Sequence, residues 1–277
     1  MKYLLFGFIS LFTVSIGFSQ DEKLVVEGGI VLDNNDDLNP IAGTIRWTGS
    51  DFEGFDGTNW LSLTCCDSNT VTDCDGNSYN TVTIGDQTWF AENLQATCYN
   101  DGSPIPFLAD NTAWAGAGAN ASDGFTFNNF ASSNSTGYGG YYNWYVVDSA
   151  SNGGKNACPV GWHVPSFSEF EILKAELNSM SPTDIAGGRA KSNSSNWTPP
   201  NVGAFDSGFL AEPYDRVTPS GSFAPIGGSA YFYTTDVWIN DPTFPHAYWF
   251  FSESEQFRRV QFNDGKGTGT CIRCLKD

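Results

Sequence analysis

Residues 157–173 read ACPVGWHVPSFSEFEIL, and the second half of this stretch predicts a helix. Ser166 and Glu169 have the spacing of a capping box, in which each side chain bonds to the backbone N–H of the other residue. Apolar side chains then recur at helical spacing on one face, at Phe170, Leu173 and Leu177. We therefore expect a helix near 166–178 and assign Glu169 a capping role rather than a catalytic one.

The residues before this helix predict a strand. His163 lies between Trp162 and Val164, so we expect a hydrogen-bonded core histidine rather than a catalytic base. In residues 73–79, DCDGNSY, the pattern D-x-D-G-N resembles a calcium loop. Strand-like residues flank it, however, so Asp75-Gly76 is interpreted as a hairpin turn.

Residues 21–64 form a separate unit in the sequence. The β-prone runs GTIRW, DFEGF and NWLSL are separated by the turn sequences TGSD and DGTN, which predicts a small β-meander. Phrases such as AGTIRW and FDGTNW resemble the β-repeat at the base of phage tail fibres and bacterial surface fibres. We expect a stalk or a homo-oligomerisation module at 21–64, followed by a linker at 65–72.

The first residues predict export. Lys2 precedes an uncharged apolar run, and small residues, Gly17 and Ser19, precede a cleavage point before Gln20. The run is too short to span a bilayer. We therefore expect a signal peptide at 1–19, a secreted or cell-surface protein, and no membrane insertion.

The charge is strongly negative and unevenly distributed. The net charge is −18, and from Trp47 to Gly154 the chain has no Lys or Arg but twelve Asp and Glu. Such a surface repels phosphate backbones and anionic lipids, which argues against nucleic acid and membrane surfaces as partners. The acidity suits an extracellular protein, and divalent cation binding is the alternative interpretation.

Seven cysteines lie beyond the signal peptide: Cys65, Cys66, Cys74, Cys98, Cys158, Cys271 and Cys274. In an exported protein cysteines usually form disulfides, and the odd number leaves at least one without an intrachain partner. A small loop closed between Cys74 and either Cys65 or Cys66 is one expectation. Cys271 and Cys274 are three positions apart in a predicted strand, so they point to opposite faces and should have different partners.

From residue 73 onwards the sequence motifs resemble those of one family. The phrases are DGNSYNTVTIGDQTWFAENL, GYYNWYVV, ACPVGWHVPSFSEFEIL and GTCIRCLKD, in that order. They resemble the Fibrobacter succinogenes major paralogous domain, over 73–277. That resemblance implies an α+β, C-type-lectin-like fold, related to formylglycine-generating enzymes, with short antiparallel strands, long loops and one clear helix.

The resemblance also implies disulfide pairings. In lectin-like folds the final strand returns beside the segment that leads into the main helix, so Cys158 is expected to bond to Cys274. The first and last strands pair in this fold, so Cys98 is the favoured partner of Cys271, and Cys74 is the alternative.

The sequence lacks the common catalytic motifs and has only incomplete matches to metal-binding motifs. The chain lacks G-x-S-x-G, H-E-x-x-H and P-loop patterns, and nothing matches the phrase around the cysteine pair of the related oxidase, so we expect no enzyme. Glu212-Pro213-Tyr214 and Phe262-Asn263-Asp264 nearly match the calcium triplets of sugar-binding lectins. A phenol is a poor calcium ligand, so we expect no cofactor and keep calcium as the lesser alternative.

A binding role remains, in the stretch 212–258, which combines aromatic and charged residues and is expected to be rich in loops. The predicted contacts are Trp238, Asp241, Tyr248, Glu253, Glu255 and Arg258. The expected partner is a glycan or a surface protein. A fibre subunit without a small ligand is the second hypothesis, and an enzyme of the formylglycine-generating type is the third.

Overall fold

The structure is a computed structural model. It describes residues 44–47, 52–55, 58, 60–62, 70–133, 138–179, 181 and 183–277. The chain divides into two compact units, Met1–Asp67 and Ser68–Asp277. Among the described residues, no helix is both long enough and apolar enough to cross a membrane. The predicted signal peptide at 1–19 lies outside the described residues, as do Cys65 and Cys66.

The described part of the first unit is a three-stranded antiparallel sheet in the order β1-β2-β3. Its strands are β1 (Ile45–Trp47), β2 (Phe52–Phe55) and β3 (Trp60–Ser62). Across the second turn the rings of Phe55 and Trp60 are 5.2 Å apart, and the Arg46 guanidinium carbon lies 4.0 Å from the centre of the Trp60 ring. The predicted meander is present in these residues.

The second unit is β-rich, with long loops and four helices in its described part. The strands are β4 (Thr70–Thr72), β5 (Ser78–Ile84), β6 (Gln87–Phe90), β7 (Phe125–Thr126), β8 (Tyr141–Asn143), β9 (Trp162–His163), β10 (Ser229–Trp238), β11 (Asp241–Phe251), β12 (Arg258–Gln261), β13 (Gly269–Thr270) and β14 (Leu275–Lys276). The helices are α1 (Asn111–Ala119), α2 (Ser149–Asn152), α3 (Phe167–Leu177) and α4 (Ala186–Ala190). The predicted α+β, loop-rich class agrees with this composition.

One sheet joins the two ends of the second unit. Its order is β4-β5-β6-β14-β9, and Leu275 of β14 pairs with Trp89 of β6 on one side and His163 of β9 on the other. Thr70–Thr72 were predicted as linker but form β4 against β5. The β-branched side chains of this run favour an extended strand, which explains the difference.

A second sheet, β10-β11-β12, occupies much of the stretch that the sequence suggested was loop-rich. Strands β10 and β11 form a long antiparallel hairpin, and β12 adds to its outer edge. Both faces are covered. Phe232 and Tyr248 pack in one aromatic core cluster, whereas Tyr231 and Tyr233 pack in another. A third small sheet has the order β13-β8-β7.

Helix α3 begins and ends as its sequence predicts. Ser166 is the N-cap, its hydroxyl accepts from the Glu169 N–H, and the Glu169 carboxylate accepts from the Ser166 N–H at 2.7 Å. The buried side chains are Phe170, Leu173 and Leu177. The capping role of Glu169 is therefore confirmed. Its carboxylate also contacts His163 Nε2 at 2.9 Å, and His163 is partly exposed rather than buried in the core.

Of the three disulfides expected from the sequence, the structure contains one. Cys158 is bonded to Cys274, as the resemblance implied. Cys98 is bonded to Cys74, and Cys271 is a buried free thiol. The predicted Cys98–Cys271 bond is therefore wrong, as is a loop closed by Cys74 with Cys65 or Cys66. The hairpin turn at Asp75-Gly76 places Cys74 beside Cys98, because the Asp75 carboxylate accepts hydrogen bonds from the Thr97 N–H and hydroxyl.

Candidate ligand-binding site

Trp238 and Asp241 face each other at the tip of the β10–β11 hairpin, on either side of the turn residues Ile239 and Asn240. Asp241 Oδ1 accepts hydrogen bonds from the Thr243 hydroxyl at 2.6 Å and the Thr243 N–H at 3.0 Å. These two bonds lower the pKa of the Asp241 carboxyl. Asp241 therefore shapes the turn, and the adjacent Trp238 is half-buried.

The other predicted contacts lie away from this tip. Glu253 and Glu255 are exposed in the connection beyond the opposite end of β11, and Arg258 begins the next strand. Strand β11 has 11 residues, which corresponds to roughly 35 Å of extended chain. The six residues predicted from the sequence are thus not one site, because a long strand separates two groups that are close in sequence.

Tyr248 is a core residue rather than a ligand contact. Its ring is 0% exposed and stacks on Phe170 with 4.9 Å between ring centres. Its hydroxyl donates to Glu171. Alternate residues of a strand point to opposite faces, and Tyr248 is on the face that packs against α3. This placement corrects the prediction that Tyr248 contacts a ligand.

The connection that holds Glu253 and Glu255 is fastened by a buried lysine. Lys191 Nζ donates to three carbonyl oxygens, those of Phe251 at 2.9 Å, Ser252 at 3.2 Å and Ser254 at 3.1 Å. Burial lowers the pKa of Lys191 to about 8, although Glu255 acts in the opposite direction. The Arg258 guanidinium bonds to the side chain of Gln256 within the same region.

A cavity of about 380 Å³ opens beside Trp238, between the hairpin tip and the first turn of α3. Its lining comes from α3, the hairpin and β12, and consists of Phe167, Asp236, Val237, Trp238, Ile239, His246 and Arg259. Only Trp238 was predicted from the sequence. We call this cavity the Trp238 pocket.

Arg259 forms part of the aromatic wall of the Trp238 pocket. It pairs with Tyr248 across β11 and β12, so its side chain is on the α3 side of the sheet. Its guanidinium carbon lies 5.6 Å from the centre of the Trp238 ring and 5.8 Å from that of Phe167. Both distances suit a cation–π interaction. Arg258, the neighbour in sequence, points to the opposite face.

His246 contributes a buried imidazole to the same wall. Its ring is 4.9 Å from that of Trp238 and 5.3 Å from that of Phe167. The residue is 8% exposed, and neither ring nitrogen has a hydrogen-bond partner in the described structure. Burial lowers the pKa of His246. Asp236 raises it, and Arg259 lowers it further. The imidazole is therefore neutral at pH 7.

Asp236 connects the hairpin to α3. Its Oδ2 accepts a hydrogen bond from the Phe167 N–H at 2.5 Å, at the first residue of the helix. The N-terminus of a helix carries partial positive charge and has free N–H groups, so a carboxylate is stabilised there. This bond joins the first residue of α3 to β10, so that Phe167 and Trp238 line the same pocket.

The domain containing the Trp238 pocket matches one family of proteins. The sequence model of the Fibrobacter succinogenes major domain matches residues 82–276. The chain belongs to this family. No curated protein and no solved structure matches the chain. Every lining residue of the Trp238 pocket falls inside the matched range, so the pocket is part of the family domain.

The two lectin-like triplets do not converge. Glu212 and Tyr214 line a cavity of about 150 Å³ together with Arg273. Asp264 lines a different cavity, of about 520 Å³, with Tyr145 and Lys266. Glu212 already accepts hydrogen bonds from Ser194 and Asn196. The described residues therefore do not bring the two triplets together as ligands of one calcium ion.

The D-x-D-G-N pattern serves the hairpin turn that was predicted for it. The Asp73 carboxylate accepts bonds from the Asp75 and Asn77 N–H groups and from the Tyr79 hydroxyl, at 2.5 to 3.0 Å. The nearby group Cys74, Asp75 and Cys98 has metal-ligand spacing. Its two sulfur atoms form one disulfide, however, so neither is available as a thiolate ligand.

The terminal C-x-x-C does not form a dithiol pair. Cys274 is bonded to Cys158 in one core cluster, whereas Cys271 packs in the second cluster, which also contains Phe232 and Tyr248. Burial raises the pKa of the Cys271 thiol to about 12, although Arg273 acts in the opposite direction. A protonated, buried thiol is a poor nucleophile. The two cysteines have different surroundings, as predicted, but they lie between β13 and β14 rather than in a strand.

Phe167, His246 and Arg259 were not predicted as site residues from the sequence. The alternation of side chains in β12 offered a signal for Arg259. Arg258 and Arg259 are neighbours in a strand and point to opposite faces, so only one of them can line a given pocket. Phe167 was assigned only to the helix. No local pattern indicated that its ring would face a hairpin tip some 70 residues further along the chain.

Proposed function

We propose that this is an exported binding protein whose second unit recognises a glycan or a surface protein at the Trp238 pocket. The observation that carries the proposal is the wall of the pocket, in which the Arg259 guanidinium carbon lies 5.8 Å from the centre of the Phe167 ring and 5.6 Å from that of Trp238. Aromatic faces with a charged group beside them recur at binding hot spots.

A C-type-lectin-like fold is part of this proposal. The short antiparallel sheets, the one sheet that contains both the first and the last strand of the second unit, and the disulfide from Cys158 to Cys274 support it. The hairpin tip extends from a scaffold that is packed on both faces, and recognition commonly uses loops and turns held by such a scaffold. The meander at 45–62 is proposed to serve as a stalk or an oligomerising segment of the exported protein.

The other two hypotheses make different predictions. A fibre subunit without a ligand would assemble through the first unit, and light scattering of the intact protein measures that assembly. An enzyme of the formylglycine-generating type would need a reactive cysteine pair. The buried thiol of Cys271 and the disulfide at Cys274 favour a binding role over that chemistry.

The test measures binding with and without the indole. A glycan array and a displayed library of random peptides would be probed with the wild-type protein and with Trp238→Ala. We expect the substitution to weaken binding to the selected glycans or peptides at least tenfold, because a central Trp often contributes about 2 kcal/mol or more to binding.

The matched control is Val160→Ser, at an apolar residue that is 81% exposed and does not line the Trp238 pocket. Its binding should equal that of the wild type. Equal binding by wild type and Trp238→Ala, with both proteins folded by circular dichroism, would contradict the proposed function.

A further inference from the structure

The Trp238 pocket offers a ligand few hydrogen-bonding groups. Its lining includes Phe167, Val237, Trp238 and Ile239, whose contact surfaces are largely apolar. Asp236 already uses Oδ2 to accept from the Phe167 N–H. The His246 nitrogens are buried beneath the surface of the pocket. A sugar ring placed here would find only Asp236 Oδ1 and the Arg259 guanidinium as polar partners, so several of its hydroxyl groups would stay without hydrogen bonds, which is unfavourable.

An apolar side chain has no such requirement. It would fill the space between the Phe167 and Trp238 rings and displace water from apolar surface. Ile239, at the edge of the pocket, is 91% exposed. A partner that covers the hairpin tip would bury this side chain as well. The shape and polarity of the pocket thus favour a hydrophobic side chain of a polypeptide.

Arg259 favours a ligand that carries a negative charge. Its guanidinium carbon lies within cation–π distance of two aromatic rings, and such a contact leaves the guanidinium N–H groups able to bond. Among the described residues, no carboxylate lies within ion-pairing distance of Arg259. A carboxylate is the anionic group that matches the planar guanidinium fork.

We propose that the Trp238 pocket binds a polypeptide segment that inserts an apolar side chain between Phe167 and Trp238 and pairs a carboxylate with Arg259. This inference rests on the proposed function and narrows it from two classes of partner to one. The carboxylate of the partner is attracted to Arg259, although the net negative charge of this protein repels it. Binding should therefore be local and limited to segments with both features.

The experiment uses small probes that separate the two features. N-acetyl-L-phenylalanine carries an aromatic side chain and a carboxylate, and its primary amide lacks the charge. Methyl glucoside and D-glucuronic acid represent a neutral sugar and an acidic sugar. Each would be titrated into the isotope-labelled protein, and the Trp238 indole N–H and Arg259 Nε–H resonances would be followed by NMR.

We expect N-acetyl-L-phenylalanine to shift both resonances and to bind about three- to fivefold more tightly than its amide, the range for a partly exposed ion pair. Arg259→Gln should abolish that difference. Arg258→Gln is the matched control, because this neighbour faces away from the pocket, and it should preserve the difference.

Two results would overturn the inference. One is a larger shift of the Trp238 resonance with either sugar than with N-acetyl-L-phenylalanine, which would assign the pocket to carbohydrate and leave the proposed function standing. The other is no shift with the acetylated amino acid at tens of millimolar. The proposed function is decided separately, by the effect of Trp238→Ala on the array and the library.

Discussion

Cys158 and Cys274 are joined by a disulfide across 116 residues of sequence, and both side chains are 0% exposed. The bond links the segment before β9 to the segment before β14, and these two strands pair directly. It therefore closes most of the second unit into one loop and holds the final strand in the sheet that contains the first.

Removing this disulfide should cost more stability than removing the shorter one. On the chain-entropy model, Cys158→Ala with Cys274→Ala lowers the free energy of unfolding by about 5 kcal/mol, whereas Cys74→Ala with Cys98→Ala lowers it by about 3.5 kcal/mol. The difference arises because the second bond spans only 24 residues. Urea denaturation measures both values. An equal or larger loss for the shorter loop would show that loop entropy does not dominate.

Cys271 should resist alkylation in the folded protein. Its thiol is 1% exposed, and burial raises its pKa to about 12, so almost no thiolate forms at pH 8. Iodoacetamide followed by peptide mapping should find Cys271 unmodified in buffer and fully modified in denaturant. Rapid modification of Cys271 under native conditions would mean that the last segment opens readily.

Glu169 should stabilise the protein in a pH-dependent way. Burial would raise the pKa of this carboxyl, but hydrogen bonds from the Ser166 N–H and hydroxyl and from His163 outweigh burial and lower it. A lowered pKa in the folded state means that the stabilisation is present above the ordinary value of 4.5 and is lost as pH falls through the folded pKa.

Glu169→Gln keeps an oxygen for the capping bond but removes the negative charge from the first turn of α3, so it should lower the free energy of unfolding at pH 7 by about 0.3–1 kcal/mol. At pH 3 the free energies of unfolding of the variant and the wild type should differ by less than at pH 7. Glu253→Gln, at an exposed position, is the control, and its free energy of unfolding should equal that of the wild type at both pH values. Urea midpoints measure the effect, and a difference that grows as the pH falls would contradict it.

Tyr248 and Trp238 should respond differently to substitution. Tyr248→Ala removes a fully buried ring that contacts Phe170 and Phe257 at about 4.9 Å and 4.8 Å between ring centres. The expected loss is about 3–5 kcal/mol of unfolding free energy. Trp238→Phe keeps an aromatic ring at a half-buried position and should cost less than about 1 kcal/mol. Similar losses at the two positions would place Trp238 in the core.

Features whose causes are local could be predicted from the sequence. Helix α3 follows from the capping pair at 166 and 169 and from apolar spacing within a few turns. The same holds for the meander strands and the hairpin turn at Asp75-Gly76, because turn residues and alternating side chains act over only a few positions. Helix α1, NTAWAGAGA, was missed because its two glycines weaken helix propensity. Trp114 is buried and its indole N–H donates to Gly267, so packing compensates.

Features that depend on distant contacts were decided by the tertiary structure. Alternation in β11 and β12 shows that each strand has two faces, but only the packing of α3 determines which face forms the Trp238 pocket. That packing brings Phe167 and Arg259 together from positions 92 residues apart. The pairing of Cys74 with Cys98 likewise depends on Asp75 holding the Thr97 backbone. Sequence periodicity specifies the direction of a side chain relative to its own strand, whereas its neighbours across the fold depend on how whole elements pack.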